Sequence, residues 1–199
     1  AHPDGKKIAT GGRDKLLKVW DISKAKPALL ASLPDHKDEV RGVAYSPDGN
    51  MLISVSAEEK QFRVWDATSD KPKAGEVVKL PAPAIGVNFS PDGKSIVLAG
   101  SRGTGAVWSL KDGKFDDPVD LETDKRAILS ANFSADGSMI AGTLAHSRTE
   151  DRVVVWTKDG KKKHEFKYDA HVPAAGFAPD NRHLAAVSDA GVFVIRLPK

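Results

Sequence analysis

The chain of 199 residues has no cysteine, two methionines and two tyrosines. The missing thiols exclude a disulfide scaffold, a thiolate metal site and a cysteine nucleophile, and leave the redox compartment open. Long apolar runs are absent as well. The longest extend about six residues, against about 20 needed to span a bilayer, and no basic-then-apolar stretch opens the chain. A soluble protein is expected, with no membrane partner and with the cytoplasm favoured among compartments. There is no excess of one charge either: 30 Lys and Arg against 27 Asp and Glu leave a net +3, spread along the chain rather than gathered as a phosphate-tracking surface requires. The first residue is Ala1, so a processed chain or a fragment is expected. An apolar share of 40% is enough to bury a core within one domain.

What the chain does have is a turn at a fixed stride. Pro3-Asp4-Gly5, Pro47-Asp48-Gly49, Pro91-Asp92-Gly93, Ala135-Asp136-Gly137 and Pro179-Asp180-Asn181 follow one another every 44 residues. Proline presets φ at the second turn position, aspartate bonds back to the local backbone, and Gly or Asn accepts the left-handed conformation that reverses a strand. Short β-rich runs flank each turn. In the second repeat they cover 40–46, 51–56, 61–66 and 76–80, and alternation shows in Phe62 and Val64 against Arg63 and Trp65. The first of these runs is almost wholly small or apolar, as expected of a strand buried on both faces. Four strands per repeat of about 40–45 residues describe one blade of a β-propeller.

The third runs carry a family resemblance. Gly11-Gly12-Arg13-Asp14 followed by Val19-Trp20-Asp21, and Phe62-Arg63-Val64-Trp65-Asp66, resemble the third-strand signature of WD-repeat propellers, and the Ser-Pro-Asp-Gly turns at Ser46 and Ser90 resemble the turn of that family. Trp108 and Trp156 keep the tryptophan and lose the following Asp, and Ile195 replaces it in the last repeat. The resemblance implies an all-β propeller of four-stranded antiparallel blades at about 1–35, 36–82, 83–123, 124–169 and 170–199. The first blade lacks an inner strand and the last an outer one, so an incomplete ring is expected. Upstream residues, further blades or a second copy would complete it, since an unpaired edge invites aggregation.

By the same resemblance His36, Ser56, Glu59 and Trp65 form a hydrogen-bonded network bracing the second blade. Asp14 and Trp20 are its remnant in the first blade, Trp108 and Trp156 in the third and fourth, and His171, Ser188 and Asp189 in the fifth. Blades 3 and 4, with fewer of these groups, are expected to be the looser ones. A catalytic triad is the alternative for such a set, but no Gly-x-Ser-x-Gly elbow occurs. Six histidines stand in no ligand spacing, so no metal site is expected, and no cofactor is implied. The lysine-rich stretch 158–167 is expected to lead into an outer strand, 163–168, whose charges discourage edge pairing, with nucleic-acid binding the disfavoured alternative.

In relatives of this family the rim loops bind peptides. Carried over by position, the rim candidates are Arg13, Glu39, Arg41, Glu58, Ile85, Arg102, Ala127, Leu129 and Arg148. Their arginines would suit an acidic or phosphorylated peptide. The expected function is a non-enzymatic protein-interaction scaffold. A lactonase-like hydrolase is the rival, although the inner strands offer it only Asn88 and Asn132 among Ala, Val, Gly and Ser.

Overall fold

Short runs of alternating hydrophobicity, each bounded by a Pro-Asp-Gly type of turn, are too short for helices and suit hairpins. The computed structural model describes residues 1–101, 105–145 and 150–198, and these contain strands and no α-helix. The chain divides into two compact units, Ala1–Val87 and Asn88–Lys199.

In the first unit, β1 (Lys7–Gly11), β2 (Leu17–Asp21) and β3 (Ala28–Leu33) form one antiparallel sheet. A second follows in the order β4 (Val40–Tyr45), β5 (Met51–Ser56), β6 (Gln61–Asp66) and β7 (Lys73–Lys79). Leu17, Val19 and Ala31 of the first sheet pack against Leu52, Trp65 and Ala67 of the second, with Tyr45 beside them. The contact is close because Gly11 has no side chain: a Cβ there would lie 2.5 Å from Val40 Cγ1. The outer strand β7 starts three residues before the expected 76, since Lys73 and Ala74 still pair with Asp66 and Trp65 across a register shift.

The chain passes into the second unit within β8 (Ala84–Phe89). The sheet that follows contains β9 (Ser95–Gly100) and β10 (Ala106–Lys111). Its outer position is shared by β11 (Lys114–Phe115) and β12 (Val119–Asp120), each paired with β10. Asp116, Asp117 and Pro118 separate the two pieces, and proline cannot donate to the ladder. The next sheet runs β13 (Ile128–Phe133), β14 (Met139–Ala145), β15 (Asp151–Thr157) and β16 (Lys162–Tyr168). The last has β17 (Ala174–Phe177), β18 (His183–Ser188) and β19 (Gly191–Arg196). Here β17 begins after the expected 172 because Pro173 interrupts the run. The core of this unit joins Val153 and Val155 to Val172, Leu184 and Ile195.

The strand buried on both faces is the second of each full sheet rather than the first. β9 is buried throughout and β5 nearly so, while β4 leaves Arg41 exposed. The repeated turn explains its own composition. Ser46 N–H donates to Met51 O at 2.8 Å, Ser46 Oγ–H donates to Asp48 Oδ1 at 2.5 Å, and Met51 N–H donates back to Ser46 Oγ at 2.9 Å. Ser90 with Asp92, and Ser134 with Asp136, repeat this arrangement. Gly49 closes the turn at φ 77°, a conformation that glycine adopts without strain. In the last copy Asn181 takes the same conformation at φ 56°. Backbone N–H bonds from Arg182 and the His183 side chain hold the Asp180 carboxyl down to about 2.

Candidate functional site

Two polar constellations stand out in the first unit, and they differ in burial. The inner one begins at His36, which is 4% exposed. Its Nδ1 lies 2.5 Å from Glu59 Oε2 and its Nε2 lies 2.7 Å from Ser54 Oγ. Trp65 Nε1–H donates to the same Ser54 Oγ at 2.9 Å. One assignment of protons satisfies every group: Nδ1–H donates to the Glu59 carboxylate, the Ser54 hydroxyl donates to Nε2, and Ser54 Oγ accepts from the indole. The imidazole is then neutral, in keeping with burial pushing it below its ordinary value against the opposing pull of Glu59. Burial works to raise the Glu59 carboxyl, but the bond from His36 and the nearby Arg63 guanidinium hold it lower.

The serine in this network is therefore Ser54 and not the expected Ser56. Ser56 Oγ is buried with no hydrogen-bond partner among the described residues. Ser54 lies two residues beyond Leu52, the cross-strand partner of Trp65, and that is the diagonal distance an indole spans across a pair. The same offset marks Thr10 in the first sheet, whose Oγ1 accepts from Trp20 Nε1 at 3.0 Å. Asp14 takes no part there. It accepts from Leu16 N–H at 3.2 Å and from Lys18 Nζ at 2.5 Å, closing its own loop.

In the second unit the offset position holds Leu98 opposite the buried Trp108 and Gly142 opposite Trp156. Trp156 Nε1–H turns instead to Glu122 O at 2.8 Å. The expected grouping of His171 with Ser188 and Asp189 does not form. His171 Nδ1 lies 2.8 Å from Asp151 Oδ2, which also accepts Val172 N–H at 2.8 Å. Asp151 is fully buried at the start of β15, so it reaches the histidine of the next repeat. Ser188 Oγ accepts Ala190 N–H within the β18–β19 turn, and Asp189 is exposed in that turn.

The outer constellation joins two loop residues, Arg13 and Glu39, to Arg41 in β4. Glu39 is shared by two arginines: Arg41 Nη2 and Nε reach Oε2 at 3.2 and 3.3 Å, and Arg13 Nε lies 3.7 Å from Oε1. The Arg13 side chain is 91% exposed and that of Arg41 49%. Arg41 falls at the register shift between Val40 and Gly42, where a bulge leaves a residue unpaired and re-aims its side chain. Leu129, two repeats later, sits at the corresponding shift between Ile128 and Ser130. Ile85 and Leu129 are half-buried and Glu58 is exposed. Arg102 and Arg148 lie outside the described residues.

Elsewhere the chemistry is occupied. Asn88 and Asn132 donate their side-chain amides to Ala131 O at 2.9 Å and Ala175 O at 3.2 Å. In the lysine-rich stretch, Lys162 pairs with Asp124 at 2.5 Å and with Glu165 at 3.2 Å, and Arg152 also reaches Glu165. Among the described residues no group of three or more His, Asp or Glu is placed to hold a metal ion, and no helix is long and apolar enough to cross a membrane.

A family model for the WD domain, G-beta repeat, matches residues 1–21 and 27–66. The whole chain also superposes on the Cps50 (Swd1) β-propeller domain of Myceliophteria thermophila, with TM-score 0.80 and 15% identity, covering 64% of that chain. Residues 1–21 and 27–66 thus match the WD-repeat family, and the chain has the β-propeller fold. WD-repeat relatives include the WD repeat and SOCS box-containing protein 1 of Takifugu rubripes, 31% identical over 52% of this chain and 24% of the relative. The periodic tryptophan protein 2 homolog of Schizosaccharomyces pombe is 29% identical over 71% and 18%. The protein transport protein sec13 of Emericella nidulans is 30% identical over 59% and 40%. The chain thus spans less than half the length of each. Hydrazine synthase of Kuenenia stuttgartiensis shares the fold, with TM-score 0.79 and 17% identity over 94% of this chain and 53% of that one.

Proposed function

We propose that this WD-repeat chain is a non-catalytic platform for protein binding, and that the rim of its first unit takes an acidic or phosphorylated peptide through Arg13 and Arg41. The observation that carries this reading is the pair of exposed guanidiniums sharing the single Glu39 carboxylate. Two arginines on one glutamate leave a net positive patch whose N–H donors remain open to a bidentate carboxylate or phosphate. Glu39 holds both side chains near one another before any ligand arrives, which lowers the ordering cost of binding. Glu58 and Ile85 are further rim candidates of this unit, and Leu129 is a candidate of the second unit taken by itself.

The hydrolase alternative finds little support. The serine, histidine and carboxylate that resemble a triad are buried and satisfy one another, and the inner-strand asparagines are spent on neighbouring carbonyls. A nucleic-acid surface is disfavoured by the carboxylates that already neutralise Lys162. Binding to an array of acidic and phosphorylated peptides tests the proposal. The R13E/R41E variant should lose at least about tenfold in affinity with unchanged melting. Unaltered binding in R13E/R41E would overturn the rim assignment.

A further inference from the structure

The second sheet has another cationic feature, whose lining shares no residue with the Arg13–Glu39–Arg41 patch. An open recess of about 600 Å³ lies beside β6 and β7 and is lined by Lys37, Lys60, Arg63 and Lys79. Its one carboxylate is Glu59, which already accepts from His36 at 2.5 Å, from Gln61 at 3.1 Å and from Arg63 at 3.4 Å. Four cations therefore face one committed anion. Lys37 and Lys60 have no carboxylate partner among the described residues, and Lys79 reaches only the neutral Gln61 Oε1 at 2.9 Å. Arg63 is the most telling of the four. Its side chain is 17% exposed, and its Nε is buried without a hydrogen-bond partner among the described residues. A guanidinium carries five N–H donors, and this one makes a single 3.4 Å contact among the described residues, so it keeps donor capacity for a further acceptor.

We infer that this recess binds a phosphomonoester dianion carried on a peptide, at a site distinct from the rim. The excess of three positive charges matches a dianion better than a single carboxylate, and the volume is in the range of ligand sites. The walls decide between carriers. Val77 and Leu80 supply the apolar lining, and Val77 is 39% exposed, which suits an aliphatic side chain next to the phosphoresidue. No aromatic ring lines the recess, so there is no platform on which a nucleic-acid base would stack. β7 is the edge strand of its sheet, and an extended peptide can lie along such an edge.

The probe is a fluorescein-labelled peptide, Ala-Val-phosphoserine-Val-Ala, with its unphosphorylated form and labelled oligouridine as comparisons, followed by anisotropy with the intact chain. The phosphopeptide should bind at least about tenfold more tightly than the serine form, and inorganic phosphate should compete. The K60E/K79E variant changes exposed lysines only, so it should melt like the parent and lose that difference. R13E/R41E should keep it, which separates this site from the rim. Equal binding of the two peptides, or a preference retained in K60E/K79E, overturns the inference. So does oligouridine binding with the same lysine dependence. Loss in R13E/R41E alone would assign the phosphate to the rim and leave the recess without a ligand.

Discussion

At the scale of single residues, the buried network in the first unit makes its two serines unequal. Ser54 Oγ accepts from Trp65 and bonds to His36, so S54A strands an indole N–H and an imidazole nitrogen in the interior. Each stranded group costs about 1–3 kcal/mol, and in a chain of this size each kcal/mol lowers Tm by about 2–4 °C. S56A removes a hydroxyl that has no partner among the described residues and should leave Tm unchanged or slightly raised; thermal melts of the two variants side by side check this. His36 adds a dependence on pH. Burial pushes its folded imidazole below the ordinary 6.5. In the window just below 6.5 the unfolded chain therefore binds a proton that the folded chain refuses, and stability falls as pH falls. The lowered Glu59 carboxyl acts in the same direction at more acidic pH. Tm should drop between about pH 7.5 and about pH 5.5, and the H36Q variant, although less stable, should show a smaller drop. An equal drop in both would remove His36 as the source.

At the scale of elements, close approach between strands explains which glycines matter. Gly11 lies against Val40, and G11A would force overlap at 2.5 Å, with a cost of about 1–3 kcal/mol from overpacking. A Cβ added at Gly176 in β17 would meet nothing within 4 Å, and the backbone φ there is ordinary, so G176A should stay within about 0.5 kcal/mol of the parent. Chemical denaturation of both variants measures the contrast. The element level is also where the sequence was most legible. The turn recurring at Pro3, Pro47, Pro91, Ala135 and Pro179 sets the hairpins, and β5 and β6 occupy the runs that alternation marks out. The network was less legible because Ser54 and Ser56 share one face of β5, and a period of two cannot choose between them. Only the cross-strand register of Trp65 does. Asp151 was missed because it serves the histidine of the following repeat, whereas reading within one repeat looks for partners there. The split of β11 from β12 follows Pro118, a signal that was present in the sequence.

At the scale of the whole molecule, solubility depends on what the outermost strands expose. β19 is the edge of its sheet, and Val192 and Val194 on it are 68% and 73% exposed, with Val187 opposite Val192 at 46%. An edge strand with an apolar face offers unpaired backbone groups and an adhesive surface together. Natural edges of this kind are usually guarded by lysine, as β16 is by Lys162, Lys163 and Lys167, whereas β19 carries no lysine. The net charge of +3 supplies little long-range repulsion to offset that surface. The 199-residue chain should therefore self-associate as its concentration rises, and the V192K/V194K variant, which places charge on both exposed edge positions, should suppress association without lowering Tm. Static light scattering over a concentration series reads this directly. A parent chain that stays monomeric, or a variant that scatters as strongly as the parent, would show that the valine edge does not govern self-association.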